Sequence, residues 1–111
     1  MKRLLVCGGR DYHDRDRVYQ ELDREKPDVI ITGGAQGADA LAGKYAGEKG
    51  VPLIIMPAPW AIGSSAGPIR NGWMIRFANP TEVLAFPGGK GTANMVDNAR
   101  RAGLPVREVA G

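Results

Sequence analysis

Three short stretches carry residue types that can handle phosphate: CGGRD (Cys7–Asp11), TGGAQGAD (Thr32–Asp39) and FPGGKGT (Phe86–Thr92). Each follows a short apolar run and precedes a segment with helical spacing. Glycine lets backbone N–H groups approach a ligand closely, and a helix start adds free N–H groups and partial positive charge. A single glycine turn can simply reverse the chain, whereas three at one edge of one sheet suit a phosphate or nucleotide cradle. The candidate ligand-binding residues are Gly8, Gly9, Arg10, Gly33, Gly34, Gly37, Asn71, Pro87, Gly88, Gly89, Gly91 and Thr92.

Polar side chains near these loops leave alternatives open. Arg10 suits a bidentate fork on phosphate or a surface ion pair. Asp39 suits a helix start, where the dipole favours a carboxylate, or a bond to a ribose hydroxyl. Thr92 suits a helix cap, a phosphate contact, or both. Arg70 is the strongest single polar candidate, at the head of a helix with Asn71. His13 is read as an exposed or capping residue, Trp73 as core, and Trp60 as a loop residue open to stacking. Neither G-x-x-x-x-G-K-[ST] nor G-x-G-x-x-G is present, which argues against a P-loop ATPase and a standard dinucleotide fingerprint. No H-E-x-x-H or cysteine pair suggests a metal, and no cofactor is expected.

These loops need a scaffold, and the pattern supplies one. Strands are expected at Arg3–Cys7, Val29–Thr32, Pro52–Met56, Glu82–Phe86 and Pro105–Val109. Helices are expected at Asp14–Glu25, at Gln36–Lys49, from Pro68 to before Pro80, and at Thr92–Ala102. The third helix is expected to carry Ile69, Trp73 and Phe77 inward. Strict alternation of strand and helix predicts an α/β fold: a Rossmann-like three-layer α/β/α sandwich with a mostly parallel sheet of about five strands. Ligands then bind beyond the carboxyl ends of the strands.

The 111 residues fit one domain, 1–111. A net charge of +3 is spread along the chain, and aromatics are few, so single-stranded nucleic-acid binding is disfavoured. Cys7 is the only cysteine. No leader-like segment precedes the first strand and no apolar run approaches bilayer length, so a cytoplasmic setting without membrane contact is expected.

GGRD, GGAQGAD, AGPIRN and FPGGKGT, in that order, resemble a small YspA/YpsA-related bacterial and phage family of the SLOG superfamily, which is named for the Smf/DprA and LOG proteins. The resemblance spans nearly the whole chain. It implies a Rossmann-like domain that binds nucleotides or nucleotide-derived ligands as a sensor or processing domain. The LOG enzymes of that superfamily are phosphoribohydrolases that cleave the base–ribose bond of nucleoside 5′-monophosphates. Their hallmark is P-G-G-x-G-T-x-x-E with an upstream arginine. Pro87, Gly88, Gly89, Gly91 and Thr92 match the loop, and Arg70 is placed to match the arginine. Met95 stands where the glutamate is expected, and a thioether can neither stabilise an oxocarbenium ion nor activate water. Turnover therefore requires another carboxylate, from Asp39 or Asp11, and Arg70 with Asp39 are the candidate catalytic residues. The resemblance also implies a homodimer, and from its DprA side a weaker expectation of single-stranded DNA binding.

Overall fold

The computed structural model describes all of residues 1–111. The strands are β1 (Arg3–Cys7), β2 (Val29–Thr32), β3 (Leu53–Ile55), β4 (Glu82–Ala85) and β5 (Val106–Glu108). The helices are α1 (Arg15–Glu25), α2 (Ala38–Lys49), α3 (Ala66–Phe77) and α4 (Lys90–Arg101), with one 3-10 turn at Trp60–Ile62. All strand pairs are parallel, in the order β3-β2-β1-β4-β5. The expected Rossmann-like sandwich is what forms, and its order reverses between β1 and β4.

Alternation along the strands divides the core in two. Leu4 and Val6 point to one face with Ile30, Leu84 and Phe86, where Val18 and Leu22 of α1 and Ala42 and Ala46 of α2 cover them. Leu5 and Cys7 point to the other with Ile31, Val83 and Ala85, beneath Met74 of α3 and Met95, Val96 and Ala99 of α4. Strands covered on both faces read as continuous apolar runs, which is why they were legible.

The inner face of α3 differs from the expected one. Ile69, Trp73 and Phe77 are exposed (39%, 39% and 63%), not inward. α3 is apolar on more than one side, so spacing could not choose between faces. The face that packs carries Ala66, Asn71 and Met74. Small and polar residues fit there because the first half of α3 lies over the sheet's carboxyl edge and the loops there.

Charged groups clamp the edge strand to α1. Arg107 of β5 reaches Glu21 (Nη1 to Oε1, 2.6 Å) and donates from Nε to Glu25 (2.7 Å). Lys2 holds the other oxygen of Glu25 at 2.7 Å. The bond from Arg107 keeps the buried Glu21 carboxyl below its ordinary range, against the opposing effect of burial. Burial pushes Glu25 upward, but bonds from Lys2 and Arg107 outweigh it and its pKa is also lowered. Carboxyls depressed in the folded state stabilise it at pH values above the unfolded pKa of about 4.3 and lose that contribution as pH falls through the folded value. Arg107→Ala is expected to cost about 1.5–3 kcal/mol near pH 7. Urea titrations from pH 7 down to pH 3 should show the gap between wild type and variant closing in acid.

Candidate functional site

The order reversal places the β1–α1 and β4–α4 loops side by side. The Gly9 N–H donates to the Pro87 carbonyl (2.9 Å), and the Phe86 N–H to the Cys7 carbonyl (2.9 Å). The Gly9 carbonyl accepts from Ala38 N–H and Tyr12 N–H, each at 3.2 Å, so the β2–α2 loop is tied to the same residue. Many of the glycines serve this interlock. A Cβ on Gly9 would sit 3.0 Å from the Pro87 oxygen and 3.1 Å from Gly88 Cα. One on Gly88 would sit 2.7 Å from Gly9 N and strike the Thr92 hydroxyl. Gly37 has φ +77°, and its Cβ would collide with the Gly9 carbonyl. A Cβ on Gly8 would lie 2.9 Å from that of Phe86, and one on Gly33 would enter the Arg70 guanidinium. Gly89 and Gly91 differ: an added Cβ there meets nothing within 4 Å.

These two glycines border a cavity of about 400 Å³ at the reversal point. Its polar lining includes Arg10, Asp39, Arg70, Asn71, Lys90 and Thr92, with Trp60 at one wall and Cys7 and Met95 among the apolar lining. Of the candidate ligand-binding residues, Gly33, Gly34, Gly37, Pro87 and Gly88 do not line it. Pro87, Gly88 and Gly89 border a neighbouring hollow of about 360 Å³ with Arg10, Asp11 and Tyr12.

α4 begins two residues earlier than its pattern suggested, at Lys90, with Gly89 as N-cap and no side-chain cap bond. Thr92 is therefore a first-turn residue and not the cap; glycine at 89 takes the φ −100°, ψ −141° bend instead. The first-turn N–H groups of α4 stay available beside the cavity. α3 also starts without a side-chain cap, and its Gly67 lines the same space. At α2, by contrast, the Ala38 N–H is already occupied by Gly9.

Three of the predicted polar residues, Asp39, Arg70 and Asn71, prove to be committed inside the protein. Asp39 is buried and accepts from Gly33 N–H (3.1 Å) and Ala35 N–H (3.2 Å), holding the β2–α2 loop. Burial raises its carboxyl pKa, opposed by those two bonds and by the charge of Arg70. Arg70 donates from Nη1 to the Gly33 (2.9 Å) and Met56 (3.1 Å) carbonyls and from Nε to Asn71 Oδ1 (3.1 Å). Burial lowers its pKa, and the nearby Asp39 opposes this. Asn71, also buried, donates to the Gly91 carbonyl (3.2 Å) and to Asn94 (3.0 Å), joining α3 to α4. Burial pushes the Cys7 thiol up to about 12, so it is no nucleophile at neutral pH. Met95 is 1% exposed and packs in the core beneath α4.

Arg10 makes no ion pair within the chain; its guanidinium lies 5.6 Å from the Trp60 ring centroid. Asp11 and His13 are exposed, and Asp14, not His13, caps α1 through the Arg17 N–H (3.0 Å). Two residues escaped the pattern. Lys90 joins the lining from the first turn of α4. Asn94 receives bonds from both Asn71 and Asn98. The i, i+4 spacing of Asn94 and Asn98 on a helix was the available signal.

The glycines separate by experiment. Gly37→Ala, strained at positive φ, should cost about 1–3 kcal/mol. Gly91→Ala should leave the melting temperature level or slightly higher, since alanine favours helix and the space is open. Thermal melts of the two variants check this.

Three comparisons bear on this geometry. The family model YAcAr, described as YspA, cpYpsA-related SLOG family, matches residues 2–63, which include the first two glycine loops and end before α3. The "Gene 61 protein" of Mycobacterium phage D29 is 36% identical over 119 residues, spanning 96% of this chain and 94% of that protein. Among solved structures, MurG of Acinetobacter baumannii superposes with a TM-score of 0.58 at 14% identity. That match covers 100% of this chain but 37% of the MurG chain, and it speaks to the fold alone. No helix is long and apolar enough to cross a membrane.

Proposed function

The chain belongs to the YspA, cpYpsA-related SLOG family, and from that premise we propose that it binds a nucleotide or nucleotide-derived ligand, with the phosphate at the start of α4. One observation carries the reading: the uncapped first turn of α4 opens onto the cavity that Arg10, Arg70 and Lys90 line. N–H groups there point at an anion, the helix dipole favours negative charge, and three cations surround it. Gly89 and Gly91 allow close approach.

The same geometry favours binding over turnover. Met95 fills its position as a packed core side chain. The Asp39 carboxylate is engaged by two backbone N–H groups. A LOG-like hydrolase working from these residues would have to act through Asp39 Oδ1 while Oδ2 holds the loop. Calorimetry with AMP at low salt should show saturable binding that Lys90→Ala weakens several-fold, while chromatography after prolonged incubation shows no free adenine. Sustained adenine release lost in Asp39→Asn would instead establish the hydrolase. Retardation of single-stranded DNA with no nucleotide binding would overturn both.

We further infer that two copies pair through the outward face of α3. Ile69, Trp73 and Phe77 form an exposed stripe that the rest of the chain leaves uncovered, and a two-fold axis sets that stripe against itself. Light scattering should report a dimer at tens of micromolar, and a monomer for Trp73→Glu with Phe77→Glu. A monomeric wild type would refute the pairing.

A further inference from the structure

Trp60 is the only aromatic residue lining the cavity, and it is 54% exposed. Local bonds fix its backbone. The Trp60 N–H donates to the Ala58 carbonyl (2.9 Å), and the Gly63 N–H donates to the Trp60 carbonyl (3.0 Å). The ring edge rests against Gly67 at the head of α3, where an added Cβ would lie 3.4 Å from Cη2. Arg10 stands 5.6 Å from the ring centroid. An indole half in water, anchored by its edge and attended by a guanidinium, offers a flat surface beside a cationic cavity.

From this arrangement we infer that Trp60 is the platform on which the ligand's base stacks, with Arg10 as a second planar partner. The inference rests on the phosphate reading above and adds the ligand's class and direction: phosphate inward at α4, planar heterocycle outward at Trp60. Of the cavity's polar side chains, Asp39, Arg70 and Asn71 are engaged within the protein, while Arg10, Lys90 and Thr92 make no side-chain hydrogen bond within it and line the phosphate end or stand by Trp60. Recognition of the base comes mainly from its π-face, which every base possesses, laid on the exposed Trp60 ring. Base-bearing phosphates should be preferred over the bare sugar phosphate, with little discrimination among bases.

The test compares AMP with ribose 5-phosphate by calorimetry on wild type, Trp60→Ala and Trp60→Phe, with thermal melts confirming that each is folded. Wild type should bind AMP roughly five- to one-hundred-fold more tightly than ribose 5-phosphate. Trp60→Ala should erase that preference while keeping ribose 5-phosphate affinity, and Trp60→Phe should retain most of it. In a Trp73→Phe background Trp60 is the sole tryptophan, and AMP but not ribose 5-phosphate should quench its fluorescence. Equal affinity of wild type for the two ligands, or an AMP preference that survives Trp60→Ala, overturns the platform while leaving the phosphate reading intact. Binding of neither ligand overturns both.

Discussion

The site depends on the backbone of Gly9. Its N–H binds the Pro87 carbonyl, and its own carbonyl takes N–H groups from Ala38 and Tyr12. One residue thus ties together the loops after β1, β2 and β4 at the point where strand order reverses. Such contacts require the backbones to come closer than any Cβ allows. Glycine at 9, 37 and 88 is therefore first a condition for the loops to meet, and only then an opening for a ligand. Parallel strands place the loops at one edge, and the Gly9 bonds hold the three of them together there.

Around that interlock the polar groups divide by role. Asp39, Arg70 and Asn71 hold backbone: Asp39 the N–H groups of the second loop, Arg70 the carbonyls at Gly33 and Met56, Asn71 the carbonyl of Gly91. Arg70 and Asp39 sit against the same Gly33 from opposite chemical sides, one on its carbonyl and one on its N–H. The Ala38 N–H of α2 is satisfied by Gly9, while the first turn of α4 has no side-chain cap. Preorganised donors beside Arg10 and Lys90, with a methionine in the floor, support the proposed reading of anion binding over bond cleavage.

The fold was largely legible because buried parallel strands announce themselves as short apolar runs, and Gly50 and Gly103 punctuate the helices that precede β3 and β5. The inward face of α3 was not, because helical spacing locates an apolar stripe without saying what it faces. Ile69, Trp73 and Phe77 look like core in sequence and lie outside. The division among the glycines was equally hidden: Gly88 and Gly89 are neighbours, yet one packs against Thr92 and the other opens onto the cavity. Only three-dimensional proximity of separate loops distinguishes them. The start of α4 slipped by two residues for a related reason. The threonine side chain can cap a helix and glycine has none to do so, but the turn at Gly89 decides where the helix begins.

The central claim is that the phosphate is held by the backbone at the start of α4. Amide chemical shifts followed while AMP is titrated into labelled protein test it most directly. The Lys90, Gly91 and Thr92 amides are expected to move first and furthest, saturating together, while the amide of Asp39, in the first turn of α2, moves little. Saturable shifts confined to another edge of the sheet, with residues 90–92 unmoved, would contradict it.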